Sequence, residues 1–271
     1  MQKSYERLKK QEGIPTVPKE RRIRPIHIWQ SAAAILFLLL ASSVYLSTVG
    51  AKAETDLLQQ YIPIAEMRSL TLPDGTKVQL NSKSTLLYPQ EFTGDSRSVF
   101  LLGEANFKVK PDKKRPFIVK SNDLQITALG TEFNVSAYPE SQEIATTLIS
   151  GSIRVDYNNL TTSVIIHPNE QFAYNRNNKK YDLSNPEMED VKDWQRGELV
   201  LKKMTLTDII NVLERKYPYA FVYSIKNLKN DRFSFRFKDN APLEEVMEII
   251  VNVVGQMDYR IVEDKCYLTR I

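Results

Sequence analysis

The chain holds two histidines, His27 and His167, and one cysteine, Cys266, and these set the scope for imidazole and thiol chemistry. Nucleophilic catalysis needs a base beside the nucleophile, most often a histidine. His27 stands at the edge of a long apolar run and His167 precedes Pro168, a turn setting, so one histidine remains for the rest of the chain. Carboxylate pairs or a lysine are alternative acid–base reagents. No zinc-ligand spacing, P-loop, dinucleotide fingerprint or nucleophile elbow is present. With 9 glycines there is little of the Gly-rich loop that cradles phosphate. Cys266 lies between Lys265 and Tyr267 in a strand-like run and reads as a small buried hydrophobe. The acidic stretch Glu187 to Asp193 has no histidine nearby, so it reads as the solvated face of a short helix and not as a metal site. The expectation is a protein that is not an enzyme and carries no metal or cofactor.

The elements around these residues begin with Ile28 to Val49, which has no charged side chain and is uninterrupted apolar from Ala33 to Leu40. As a helix it would reach about 33 Å, enough for a hydrocarbon core of about 30 Å. Trp29 and Tyr45 stand near its ends, where amphipathic rings favour the headgroup region. Residues 1–25 carry eight basic and three acidic side chains. That asymmetry predicts a cytoplasmic N-terminus, a single membrane-spanning helix over 26–50 and the remaining chain outside. A cleaved signal peptide is the competing reading, because Ala51-Lys52-Ala53 has the form of a signal peptidase site. The long apolar segment and long basic tail favour the uncleaved anchor.

The tail supplies most of the net charge of +4, so the outer part is close to neutral, which argues against direct nucleic-acid binding. The tail breaks at Gly13, Pro15 and Pro18 and has too few apolar residues for a core. After a connector over 51–62, short β-type runs follow one another: Leu70–Leu72 and Val78–Leu80 about a Pro73-Asp74-Gly75-Thr76 turn, then Thr85–Tyr88, Ser98–Leu102, Ala105–Val109, Phe117–Lys120, Leu124–Leu129, Phe133–Ala137, Ile144–Ile149, Ile153–Tyr157, Ser163–Ile166 and Gln171–Tyr174. Gly and Pro punctuate them, with Gly103 among the breaks. Many short strands without a helical period predict an all-β, antiparallel sandwich-like domain over 63–178. Residues 179–196 read as a linker and short helix.

From residue 197 the period changes. Leu206, Ile209, Ile210 and Leu213 fall on one helix face, with Thr205 as N-cap and Asp208 three residues on. Phe233, Phe235 and Phe237 alternate with Ser234, Arg236 and Lys238, the pattern of a strand with one buried face. A second helix begins at Pro242, with Asn240 as candidate cap, and stops at Gly255. With strands at Leu199–Leu201 and Phe221–Tyr223 and a closing hairpin across Glu263-Asp264, residues 197–271 read as a small α+β domain, β-α-β-β-α-β-β, with two helices over one sheet.

Four ordered blocks carry a resemblance. Leu72-Pro73-Asp74-Gly75-Thr76-Lys77-Val78 with Leu80-Asn81, then Ser98-Val99-Phe100-Leu101-Leu102-Gly103-Glu104-Ala105-Asn106-Phe107-Lys108-Val109, then Arg115-Pro116-Phe117-Ile118-Val119, then Leu129-Gly130-Thr131-Glu132-Phe133-Asn134-Val135-Ser136-Ala137-Tyr138 resemble FecR-like proteins. The final α+β unit is similar to the companion domain of that family and to the small secretin and TonB-transporter signalling fold. The resemblance implies an inner-membrane anti-sigma factor or sigma-factor regulator. Its periplasmic domains would sense the signalling domain of a TonB-dependent outer-membrane transporter, and its cytoplasmic part would hold an extracytoplasmic-function sigma factor. Relatives usually carry several cytoplasmic helices before the span, where this chain offers about 25 residues. The alternative is therefore a membrane-tethered periplasmic adaptor with no sigma-factor contact. Physically, Gly103, Gly130 and Gly151 read as turns or close strand approaches, and Phe107, Phe117 and Phe133 as core. The candidate partner-binding site is the edge of the strand Phe233, Ser234, Phe235, Arg236 and Phe237, which can accept an added strand through its backbone.

Overall fold

The structure, a computed structural model, describes residues 25–50, 56–224, 231–238 and 241–270, and the chain divides into two units, Met1–Glu54 and Thr55–Ile271. The basic tail and the candidate cap Asn240 lie outside the described residues. In the first unit, helix α1 runs Pro25–Gly50 and holds no Asp, Glu, Lys or Arg. Its side chains are described at 29, 30 and 32–45, and all of these are exposed, with Phe37 71% and Leu40 62% accessible. Over those described positions, and elsewhere among the described residues, there is no helical stretch long and apolar enough to cross a membrane.

The second unit starts with strand β1 (Leu57–Tyr61), inside the stretch expected to be a connector; it pairs antiparallel with β4 (Thr85–Pro89). Ile62, the residue after it, is fully buried. Its sequence, Leu-Leu-Gln-Gln-Tyr, does not alternate, and it is mostly exposed, so no period-two signal marked it. The remaining strands of this module are β2 (Arg68–Thr71), β3 (Lys77–Leu80), β5 (Arg97–Lys108), β6 (Phe117–Lys120), β7 (Gln125–Ala128), β8 (Glu132–Ala137), β9 (Glu143–Ser150), β10 (Ile153–Tyr157), β11 (Thr162–Ile166), β12 (Gln171–Asn175) and β13 (Lys180–Ser184). Strand β13 lies in the expected linker, is exposed throughout and pairs with β12.

The two expected strands on either side of Gly103 are one. Strand β5 runs 12 residues through it, with Gly103 at φ +107°. Before Gly103 the strand pairs with β4 and β6, and from Gly103 onward with β3 and β8. A side chain at 103 would bring Cβ within 2.7 Å of the Ser84 Cα, so glycine serves close approach here and not a turn. The module is thus two half-sheets sharing β5: β11-β10-β7-β6-β5-β4-β1 on one side and β2-β3-β5-β8-β9-β12-β13 on the other. All pairings are antiparallel except β5 with β6. Buried residues of both halves, Leu86, Val99 and Ile126 of one and Val78, Phe107 and Phe133 of the other, form one core, and Phe107 stacks on Phe133 at 5.4 Å.

A short helix α2 (Met188–Asp193) and a 3-10 turn (Trp194–Arg196) lead into the C-terminal module. Its order is β14 (Leu199–Thr205), α3 (Leu206–Lys216), β15 (Ala220–Val222), β16 (Arg232–Phe237), α4 (Leu243–Val254), β17 (Met257–Val262) and β18 (Lys265–Arg270), the order expected. The expected single sheet is instead two. Strands β14 and β16 pair antiparallel, while β15, β18 and β17 form a separate mixed sheet in which β15 runs parallel to β18. Thr205 caps α3 as expected: the Asp208 N–H donates to Thr205 Oγ1 at 3.3 Å, and the Thr205 hydroxyl donates to Asp208 Oδ2 at 2.6 Å. Leu206, Ile209, Ile210 and Leu213 of α3 and Leu243, Val246, Met247 and Ile250 of α4 bury in a second core with Cys266.

Candidate functional site

Strand β16 carries the five residues singled out in the sequence. Its alternation is realised: Phe233 and Phe235 are half-buried and Phe237 is buried, while Ser234 and Arg236 are exposed. The three rings stack in a row, 6.3 Å and then 5.9 Å between centroids, against the second core. One edge of β16 pairs with β14 in the register Leu199↔Phe237 and Leu201↔Phe235, and among the described residues its other edge pairs with nothing. Between Leu201 and Met204 the register shifts, with Lys203 at φ +49°. Ser234 repairs that bulge, its hydroxyl accepting from the Lys203 N–H at 3.0 Å. Ser234 and Arg236 are therefore committed within the fold, and the free part of this strand is its backbone edge.

Arg236 anchors an ion-pair cluster that corrects the reading of the acidic stretch at Asp190 and Asp193. Its guanidinium donates to Asp193 Oδ2 at 2.6 Å and to Glu198 Oε2 at 3.2 Å, and it also pairs with Asp190. Arg196 pairs with Asp193 and Lys202 with Asp190. Asp193 is fully buried and Asp190 half-buried, so this helix turns these two acids toward the strands, while Glu187 and Glu189 are exposed as expected. Basic side chains on the 3-10 turn, β14 and β16 offset the cost of that burial.

A cleft of about 870 Å³ separates the β module from the C-terminal module. Its floor is the outer face of β8, β9 and β12, with Asn134, Ser136, Thr147 and Gln171; Trp194, Gln195 and Met204 stand opposite. Glu104 faces into it, its two oxygens accepting from Asn81 Nδ2 and Asn134 Nδ2, both at 2.9 Å. At its margin Arg215, from the last turn of α3, stacks 3.8 Å over the Tyr138 ring and donates to Glu140 Oε1 at 2.7 Å. The Arg215 carbonyl accepts from the Ala65 N–H at 3.0 Å. Tyr138 is 2% exposed and donates to the Ser82 carbonyl; burial first, then the charge of Glu104, pushes its phenol above its usual range. Burial likewise raises the Glu143 carboxyl, with Arg232 pulling the other way.

Sequence reasoning missed this joint. Glu104 stood inside the quoted Gly103-Glu104-Ala105 block, the one charge in the run Ser98 to Phe107, and that was a usable signal. Arg215 gave none, since a basic residue in a helix's last turn is ordinary. His167 lies in a turn as expected, its N–H donating to Glu170 Oε2 at 2.7 Å. Cys266 is fully buried, which pushes its thiol up to about 11.

Residues 62–154 match the family described as FecR protein, and residues 198–268 match FecR, C-terminal. Two crystal structures of a "putative anti-sigma factor" from Parabacteroides distasonis ATCC 8503 are similar to this chain, each at 32% identity with a TM-score of 0.74. The first match covers 80% of this chain and 100% of the Parabacteroides chain, the second 79% and 99%. No curated protein matches.

Proposed function

The chain belongs to the FecR family, and from that premise we propose that it is a sigma-factor regulator anchored in the inner membrane by α1, with its N-terminus in the cytoplasm and both modules in the periplasm. The observation that carries this reading is the arrangement of one chain: an uncharged 26-residue helix, then a FecR module, then the family's C-terminal module. The likeness to the Parabacteroides protein supports the sigma-factor partner. In this reading the periplasmic modules receive the signalling domain of a TonB-dependent outer-membrane transporter, and the free edge of β16 accepts a strand from it. Signal then passes through α1 to the tail over 1–25, which holds an extracytoplasmic-function sigma factor.

The test has two arms. A reporter active only in the periplasm, fused after Ile271, is expected to work, whereas one fused at the N-terminus is not; the reverse pattern removes the proposed topology. Capture with the full chain is expected to retain a sigma factor, and capture after deletion of residues 1–20 is not. Equal signalling with and without those residues would leave a membrane-tethered adaptor in its place. For the contact itself, amide exchange at Phe233 to Phe237 is expected to slow when the transporter's signalling domain is added. Unchanged exchange there removes this edge as the contact.

A further inference from the structure

The half-sheet β11-β10-β7-β6-β5-β4-β1 has an outer face that is apolar where a solvent-facing sheet alternates to polar residues. Along β5, Val99 and Leu101 enter the core, so Phe100 and Leu102 point outward, 42% and 39% accessible. The register carries that face sideways. Leu102 sits opposite Thr85, which sits opposite Tyr61, and Phe100 sits opposite Leu87. In the other direction Phe100 neighbours Lys120, and Ile118 shares the Lys120 face. Thr127 and Arg154 extend it to Ile165 on β11, which is 59% accessible. A contiguous exposed apolar face of this kind marks a contact surface.

Its charges suit a lipid headgroup layer. Lys120 Nζ lies 5.4 Å over the Phe100 ring, and Arg154 stands exposed opposite Ile165. Asp156 is the one carboxylate on the strand rows of this face; it is 9% exposed and Arg154 pairs with it at 3.1 Å. Asp56, Glu91, Asp95 and Asp123 lie beyond the strand ends. Basic side chains with apolar stems beside an aromatic ring match the boundary between acyl chains and anionic headgroups. Connectivity selects the occupant. Leu57, the first residue of β1, follows Gly50, the last of α1, by seven positions, and seven residues of extended chain reach at most about 25 Å. We propose that this sheet face rests on the anionic headgroup surface of the membrane that holds α1, with Phe100, Leu102 and Ile165 in the interface and Lys120 and Arg154 on lipid phosphates. The proposal rests on the anchored reading above and adds to it a peripheral contact made by the β module.

The full chain carrying Ser163→Cys is labelled with bimane and reconstituted into vesicles of phosphatidylethanolamine and phosphatidylglycerol that contain a lipid with a nitroxide headgroup. Ser163 is exposed on the same face but on β11, at the opposite edge of the half-sheet from β1, so the short connection to α1 does not by itself bring it to lipid. Lys180→Cys, exposed on β13 at the edge of the other half-sheet, is the reference, and the parent chain, with Cys266 fully buried, is the blank. Quenching is expected at 163 and not at 180. Phe100→Asp and Ile165→Asp, on separate strands and both exposed, are each expected to abolish most of it while leaving thermal melting of the module unchanged. Lys120→Gln and Arg154→Gln are each expected to lower the ratio of docked to undocked module by about fivefold. A chain that does not float with the vesicles removes the anchor, and this contact with it. A chain that floats but is quenched equally at 163 and 180, or at neither, overturns the contact alone. Quenching that survives both aspartate variants also overturns it, as does disulfide linkage between copies through the thiol at 163 in place of quenching, which assigns the face to a second copy.

Discussion

Arg97 and Asp74 form an ion pair inside the β module, with side chains 1% and 4% exposed. Asp74 does three things at once: its Oδ1 accepts from the Thr76 N–H at 2.9 Å, and its Oδ2 accepts from Arg97 at 2.7 Å and from the Thr76 hydroxyl, also at 2.7 Å. Arg97 also donates to the Arg115 and Lys110 carbonyls. Asp74→Ala leaves the guanidinium buried without its anion, and a loss of about 3–5 kcal/mol is expected from urea unfolding. In the sequence Asp74 was legible as a turn residue but not as a buried partner, because Arg97 reads as one more surface base between Ser96 and Ser98. Cys266 was legible, and its burial has a pH consequence. Its thiol moves from an ordinary value of 9.0 to about 11, so between those pH values the unfolded chain releases a proton that the folded chain keeps. Stability is therefore expected to fall as pH rises through that window, and to be untouched by this group below it. Iodoacetamide is expected to label Cys266 only after denaturation, a result that mass spectrometry of the intact chain reads directly.

At the scale of elements, the strand pattern was legible wherever one face of a strand is buried. Phe233, Phe235 and Phe237 or Val78 and Leu80 announce themselves by alternation. It was illegible at the edges, where β1 and β13 bury almost nothing and have no reason to alternate. Gly103 misled because glycine punctuates loops more often than it crosses strands. Gly103→Ala places a methyl 2.7 Å from the Ser84 Cα at a φ of +107°, so both crowding and backbone strain oppose it. A loss of at least about 2 kcal/mol is expected in thermal unfolding, from the same two mechanisms that dominate severe point mutations. Thr205→Ala, by contrast, removes one helix cap and is expected to cost about 1 kcal/mol.

At the scale of the whole second unit, two cores are joined by a polar contact. The first is centred on Phe107 and Phe133 and the second on Ile210, Met247 and Cys266, and they are separate clusters. Arg215, 8% exposed, lies between Tyr138 and Glu140 of one module while belonging to α3 of the other. Polar contacts of this kind hold modules together loosely compared with a shared core. Arg215→Leu is expected to leave each module folded and to separate their melting into two calorimetric transitions. A single unshifted transition would show that the joint rests elsewhere. The two cores were readable from the sequence, but the cleft between them was not, because it depends on side chains that meet across more than 70 positions, as Arg215 and Glu140 do.

Strand β5 has a bearing on how the chain is made. Its four neighbours are β3 and β4, synthesised before it, and β6 and β8, synthesised after it. A chain emerging from a ribosome through Lys108 has therefore delivered the central strand with only half its partners. The other half arrives with Phe117–Lys120 and Glu132–Ala137. Until then a 12-residue strand with an apolar centre, Val99 to Leu102, lacks part of its cover, so the nascent module is at its most vulnerable to aggregation just as its centre appears. The partners of this central strand are complete only once the chain has travelled past Ala137, and the module itself only past Ser184.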